Sequence, residues 1–415
     1  MIQKKKILIA AVILLLLYIF TTNYILFVLN NAENEVFIDD IVSKKILEHL
    51  EELSPDYFVK PILSTNFTQR IIENIKTVHS YDNKQLWATA NSWVTQNKVV
   101  NFNSSELGSV IHALKNAKII KADLDQRGTQ LKLLLTLQGG QLVIFKPKWY
   151  EIDKIIEGPV YAGKDRIGSE ILGFYMSILM KKPLTPISAE RNISLTRDVI
   201  PVATKKLIET SFKRNNKTCI YGKCLYCKKE DPICESDNFL LTGAVIFNIR
   251  KTLTSHRNPW QRTYKKTKRA PWQENANYCN GVKTKLTKKR LYDLVDISIF
   301  DFLIQNGDRH HYETMDDAVL ILDNGKGLGN PFINHIDILA PLYQCCILRQ
   351  ETLTNLMQLR GGRLKELLES IPDIKTGVTK AHLAAIEKRL LIVFATIEYC
   401  KSVTRNKNNS NMSNN

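Results

Sequence analysis

The chain has 415 residues, 44% hydrophobic and 24% charged, fractions near the globular average that exclude a disordered or collagen-like polymer. Such a length supports a substantial core divided into roughly two or three domain-sized lobes. Lys and Arg number 58 against 41 Asp and Glu, leaving +17, which favours anionic partners or surroundings without choosing among nucleic acid, membrane, phosphate and acidic glycan.

Lys4, Lys5 and Lys6 precede an uncharged run over residues 7–29, with a polar patch at Thr21, Thr22 and Asn23. At about 1.5 Å per residue a helix of that length spans a bilayer core of roughly 30 Å. The run stays apolar through Leu29 and shows no small-residue cleavage site before Asn30. A retained anchor over residues 1–30 is therefore expected rather than a cleaved signal peptide. The lysines hold the N-terminal end in the cytosol and the body in a lumen, the type II arrangement. N-x-S/T sequons at Asn66, Asn103, Asn192, Asn216, Asn408 and Asn411 agree, although an Asn-rich chain also generates them by chance.

Residues 31–115 carry apolar residues at helical spacing (Ile41, Ile46, Leu47, Leu50, Leu53; Ile71, Ile72, Ile75) and are expected to form a helical stem packing on the main body. Two β-rich runs, 131–137 and 142–146, flank Gly139-Gly140 and predict a hairpin. Lys146 ends the second run before Pro147. It reads either as an edge-strand lysine that blocks aggregation or as a buried amine with an anion beside it. A helix is predicted over 166–180, with Glu170 near its start, placed either to complement the helix dipole or to pair with Lys146 or a metal.

The spacing predicts a second strong helix over 288–304, running into Gly307-Asp308-Arg309-His310-His311-Tyr312-Glu313. His310 and His311 are read as support for this loop rather than as catalytic groups. A short strand over 318–322 then delivers Asp323 to the glycine-rich stretch 324–329, where an acid can hold a cation in a cleft. Residues 403–415 have no apolar periodicity and read as a disordered tail. The eight cysteines form a cluster (Cys219, Cys224, Cys227, Cys234) and a dispersed set (Cys279, Cys345, Cys346, Cys400). In an oxidising lumen they are expected to pair, against the alternative of a zinc site in the cluster. Adjacent Cys345 and Cys346 are expected to reach in opposite directions.

A strand lysine, a helix glutamate, a loop aspartate and, 15 residues later, a strand-end aspartate are the parts phosphoryl transfer needs. The amine holds nucleotide phosphates, carboxylates hold divalent metal, and one aspartate takes the acceptor's proton. The order is that of protein kinases, but Glu313 stands where their catalytic loop has Asn, and Asp323 opens D-N-G instead of D-F-G. No G-x-G-x-x-G occurs.

Six segments carry a more specific likeness: Gly-Thr-Gln-Leu-Lys (128–132), Phe-Lys-Pro-Lys (145–148), Tyr-Gly-Lys-Cys-Leu-Tyr-Cys (221–227), Asn-Pro-Trp-Gln-Arg-Thr-Tyr (258–264), Gly-Asp-Arg-His-His-Tyr-Glu (307–313) and Leu-Ala-Pro-Leu-Tyr-Gln-Cys-Cys (339–346). Through them the chain, from about residue 128 to 400, resembles the secretory-pathway kinases of the "family with sequence similarity 20", most closely the branch that phosphorylates glycans. The resemblance implies an α+β, atypical bilobal kinase-like fold, with an antiparallel-sheet N-lobe and Cys-rich insert over 116–245 and a mainly helical C-lobe over 246–402. It implies Asp308 as catalytic base, Glu170 and Asp323 as metal ligands, and Gln130, Lys146 and Glu313 near nucleotide. Ile246, Phe247, Asn248 and Ile249 would line the adenine pocket. It also implies the pairs Cys219–Cys234, Cys224–Cys227, Cys279–Cys345 and Cys346–Cys400.

The implied cofactors are ATP with Mn²⁺ or Mg²⁺. The implied acceptor is the 2-hydroxyl of xylose in the linkage region of proteoglycans, in the Golgi, with no nucleic acid as partner. A kinase of secreted proteins acting on Ser in acidic contexts, and an inert partner that activates a kinase, are the alternatives; retention of Glu170, Asp308 and Asp323 argues against the second.

Overall fold

The computed structural model describes residues 38–61, 66–265 and 268–412; the anchor expected over 7–29 lies outside them. Among the described residues no helix is long and apolar enough to cross a membrane.

The N-lobe is a five-stranded antiparallel sheet in the order β1-β2-β3-β8-β4, built from β1 (Ile119–Asp125), β2 (Lys132–Leu137), β3 (Gln141–Pro147), β4 (Ser188–Ile193) and β8 (Leu241–Phe247). The predicted hairpin is β2–β3, with Gly139 and Gly140 at φ +88° and +87° in its turn, a conformation costly to residues with a Cβ. Because β3 pairs β2 on one side and β8 on the other, Lys146 sits mid-sheet opposite Ala244. The edge-strand reading of Lys146 is thereby set aside, and a buried strand lysine must find anions.

The helices Asn66–Lys76, Asn83–Ser92 and Leu107–Asn116 belong to the same core as this sheet. Trp87 packs against Phe247, ring centroids 6.5 Å apart, and donates its indole N–H to the Gln138 carbonyl at 2.8 Å. The first described helix, Ile38–Glu51, packs instead on the C-terminal helix Lys380–Met412, and just beyond it Tyr57 stacks on Phe394 at 4.7 Å.

The C-lobe gathers around the helix Lys288–Ile304, close to its predicted bounds, and the helix Lys380–Met412. Arg389 is fully buried and spends its guanidinium on the Leu303, Asn330 and Ile333 carbonyls and Asn334 Oδ1; burial pulls its pKa down to about 9. A small sheet, β11-β10-β9, comprising β9 (Thr254–Arg257), β10 (His311–Met315) and β11 (Ala318–Leu320), faces the cleft.

The expected disordered tail is corrected in part: the final helix continues to Met412. Propagation from a packed, nucleated helix is cheap even through residues of indifferent propensity, and Thr404 back-bonds to the Cys400 carbonyl.

All eight cysteines pair as the resemblance implies, Cys219–Cys234, Cys224–Cys227, Cys279–Cys345 and Cys346–Cys400, which rules out zinc in the cluster. Cys219 and Cys234 face each other across β6 (Lys217–Ile220) and β7 (Ile233–Cys234), which with β5 (Ser211–Arg214) form the sheet of the Cys-rich insert.

Candidate active site

The cleft between the lobes has three connected parts. The first is a largely apolar cavity of about 330 Å³ lined by Ile144, Pro186, Leu253, Leu322 and the strand end Ile246–Ile249. The second, about 250 Å³, is charged and holds Lys132, Lys146, Asp165, Asp308 and Asp323. The third, about 460 Å³, is walled by Trp149, Tyr161, Tyr226 and Tyr264. Lys132, Lys146, Glu313, Leu322 and Asp323 border both the first and the second cavity; Asp308, His310 and Lys326 border the second and the third.

β3 delivers Lys146 into the charged part. Its ammonium donates to Glu170 Oε1 at 2.6 Å, to Asp165 Oδ2 at 3.0 Å and to Asp323 Oδ1. Burial disfavours the ammonium, but Asp165, Asp323 and Glu170 outweigh it and hold the pKa of Lys146 well above the ordinary lysine value. The helix carrying Glu170 runs Ile167–Leu179 and is buried along its whole length, so the dipole account of an exposed acid does not apply. Burial raises the pKa of Glu170, with Lys146 opposing. Its second oxygen accepts the backbone N–H of Asn324 at 3.2 Å. Asp323 takes a φ of +74° and opens onto cleft water; Lys146 holds its carboxyl well below the usual carboxylate range.

Asp165, Glu170 and Asp323 each offer a carboxylate oxygen, all within 4.8 Å of one another. Three acids around one amine leave an excess of negative charge, and a hard oxygen donor set of this kind suits Mn²⁺ or Mg²⁺. The fit of these residues to such an ion is therefore good. An ion held there would neutralise charge between adjacent phosphates.

Asp308 stands at the next junction. The helix Lys288–Ile304 ends in a left-handed cap at Gln305, and Asn306 Oδ1 accepts the Asp308 N–H at 3.3 Å. Arg309 folds back onto buried Asp301 through two nitrogens, at 2.6 and 2.7 Å, and reaches Asn324 Oδ1 at 2.8 Å, which locks the loop. The Asp308 carboxylate accepts the Tyr264 hydroxyl at 2.6 Å. Burial raises the Asp308 pKa, and Tyr264, Lys326 and His310 oppose it. A carboxylate facing an aromatic cavity on one side and the charged cavity on the other is placed where it could take a proton from a hydroxyl bound between them.

The family model described as "Golgi casein kinase, C-terminal, Fam20" matches residues 85–409. The chain belongs to the Fam20 family. It is 37% identical over 392 residues to the Drosophila melanogaster protein named glycosaminoglycan xylosylkinase homolog, covering 92% of this chain and 93% of that one. It is 41% identical over 327 residues to the Homo sapiens glycosaminoglycan xylosylkinase, covering 76% and 80%. Among solved structures, hydra Fam20 with sugar superposes with a TM-score of 0.73 at 38% identity, over 78% of this chain and 97% of that one. The Golgi casein kinase with Mn/ADP bound gives 0.70 at 26% identity, over 86% and 90%.

In this Fam20 chain the four groups singled out in the sequence, Lys146, Glu170, Asp308 and Asp323, share one cleft. Gln130 also borders it, exchanging hydrogen bonds with the Asp165 carboxylate at 2.6 Å and the Asp165 N–H at 2.9 Å. Glu313, on β10, borders both the apolar and the charged cavity. The His310 and His311 rings meet edge to face, centroids 4.7 Å apart, and both border the charged cavity; His310 Nδ1 lies 2.8 Å from the Asp308 carbonyl oxygen, and His311 begins β10.

Sequence reasoning missed Asp165 and Lys132. Asp165 lies in an aperiodic loop and carries no spacing signal. Lys132 shares strand parity with Gln130, and burial together with nearby Lys146 lowers its pKa. Gly325 packs so closely that a Cβ there would lie 2.5 Å from Asp165 Cγ. Gly325→Ala is expected to displace that carboxylate and weaken Mn²⁺ binding about tenfold, at a stability cost of about 1–3 kcal/mol. Mn²⁺ titration and thermal unfolding check both.

Proposed function

We propose that this protein is an ATP- and Mn²⁺-dependent kinase of glycans that phosphorylates the 2-hydroxyl of xylose in the proteoglycan linkage region. The observation that carries the reading is Asp308 placed between the charged cavity and the aromatic one. The apolar cavity suits a nucleobase, the charged cavity a triphosphate with its cation, and the aromatic walls offer flat apolar faces with polar handles to a sugar ring. Relatives named glycosaminoglycan xylosylkinase, at 37% and 41% identity, support the acceptor class, and the Mn/ADP-bound neighbour supports the cofactors.

In the transfer, the acceptor oxygen attacks the γ-phosphorus while its proton passes to an Asp308 oxygen. The bond from the γ-phosphorus to the bridging oxygen breaks, and ADP leaves with that electron pair. Lys146 and Gln130 position the nucleotide end. The four cysteine pairs and the lysine-flanked apolar run at the N-terminus support a Golgi setting, with a type II anchor and the catalytic lobes in the lumen.

Purified protein with Mn²⁺-ATP, offered a galactosyl-xyloside and an acidic Ser peptide, is expected to phosphorylate the xyloside at the xylose 2-hydroxyl. Phosphate found only on the peptide would replace this reading with a secreted-protein kinase.

A further inference from the structure

We infer that Lys326 is a catalytic residue of the transfer step, supplying the positive charge that meets the phosphoryl group as it crosses from nucleotide to acceptor. The inference rests on the kinase reading above but not on which acceptor is used.

Phosphoryl transfer spreads negative charge over the equatorial oxygens of the moving group, and catalysis depends on cations fixed at that point. The other cations bordering the charged cavity are engaged or set back. Lys146 is held by three carboxylates, and Arg309 is bound to Asp301, the Leu322 carbonyl and Asn324. Lys132 borders the nucleotide cavities and not the aromatic one. Lys326 is the ammonium that borders both the charged and the aromatic cavities, together with Asp308.

Its mounting is rigid while its side chain is lightly held. Arg166 donates to the Lys326 carbonyl and, at 2.6 Å, to that of Gly327. The Leu328 N–H donates to the Ile304 carbonyl at 2.8 Å. A Cβ at Gly327 would lie 2.2 Å from Ser169 Oγ and 2.7 Å from the Ile304 carbonyl oxygen, so the backbone there is closely packed. The Lys326 ammonium, by contrast, donates to the neutral Gly163 carbonyl, and among the described residues no carboxylate forms an ion pair with it. An unneutralised cation on a fixed stretch of chain, resting on a carbonyl it can leave, is suited to a charge that exists only in transit. The proximity also shows in Asp308, whose raised pKa Lys326 helps to restrain.

A purely structural role remains the competing account, since Lys326 also ties the metal loop to Gly163. Lys326→Gln keeps a donor for that carbonyl and removes the charge; Lys326→Arg keeps the charge. The Gln variant is expected to lose about a hundredfold in kcat, with KM for Mn²⁺-ATP, Mn²⁺-ADP affinity and melting temperature close to the parent, while the Arg variant recovers most of kcat. Full activity in the Gln variant, or a loss carried by nucleotide affinity or melting temperature, would overturn the inference. Each variant is assayed on whichever acceptor the parent phosphorylates. A parent that labels only the Ser peptide therefore defeats the glycan reading while Lys326 is still scored.

Discussion

Asp308→Asn is expected to lower kcat about a thousandfold, the middle of the range for loss of a general base, while Mn²⁺-ADP affinity changes less than about threefold. The substitution keeps an oxygen for the Tyr264 hydroxyl, now 2.6 Å away, and removes the capacity to accept the acceptor's proton. Asp308 has no hydrogen bond to Lys146, Asp165, Glu170 or Asp323 and feels Asp323 only through a charge repulsion smaller than its other influences, so the change at the charged end of the cleft should be small. Steady-state kinetics together with calorimetric titration of Mn²⁺-ADP separate the two effects. A matching loss in nucleotide affinity would assign Asp308 to cofactor binding, and unchanged kcat would revive the inert-partner alternative.

Lys146→Met is expected to abolish detectable transfer and to destabilise the metal-free protein by about 3 kcal/mol at neutral pH, because it leaves buried carboxylates without their counter-charge. The pH dependence has a definite sign. Burial raises the pKa of Glu170 and Lys146 lowers it, so removing the amine raises it further. A carboxylate whose folded pKa lies above its unfolded value loses stability as pH rises through that interval. The deficit relative to the parent is therefore smaller at pH 5 than at pH 8. Adding Mn²⁺ should recover part of it, because a divalent ion among Asp165, Glu170 and Asp323 replaces the missing positive charge. Thermal melts at the two pH values, with and without Mn²⁺, test this; a deficit independent of both would mean that Lys146 acts through packing alone.

Lys146, Glu170, Asp308 and Asp323 were legible in the sequence because each sits at a recognisable end of a periodic segment: a strand, a helix start, a helix exit, a second strand. Their convergence is set by sheet order and lobe packing, which spacing along the chain does not encode. Asp165 shows the limit. It accepts from Lys146 at 3.0 Å, beside Glu170 at 2.6 Å, yet its loop has neither periodicity nor a turn signature. The helical segment before residue 116 was legible as helix packed on the body, but its partner in the sheet was not, since that tie runs through Trp87 and Phe247, 160 positions apart. The end of the last helix was misjudged because composition reports propensity and not the packed turns upstream.

The neighbouring Cys345 and Cys346 fasten one short stretch to Cys279 on one side and to Cys400 on the other. Cys279 precedes Cys345 by 66 residues and Cys346 precedes Cys400 by 54, so the first clasp can close before the residues that complete the second have been made. The second must wait for the helix that carries Cys400. A chain cut short before residue 400 would keep the first clasp and carry a solitary thiol at Cys346, open to exchange with other disulfides.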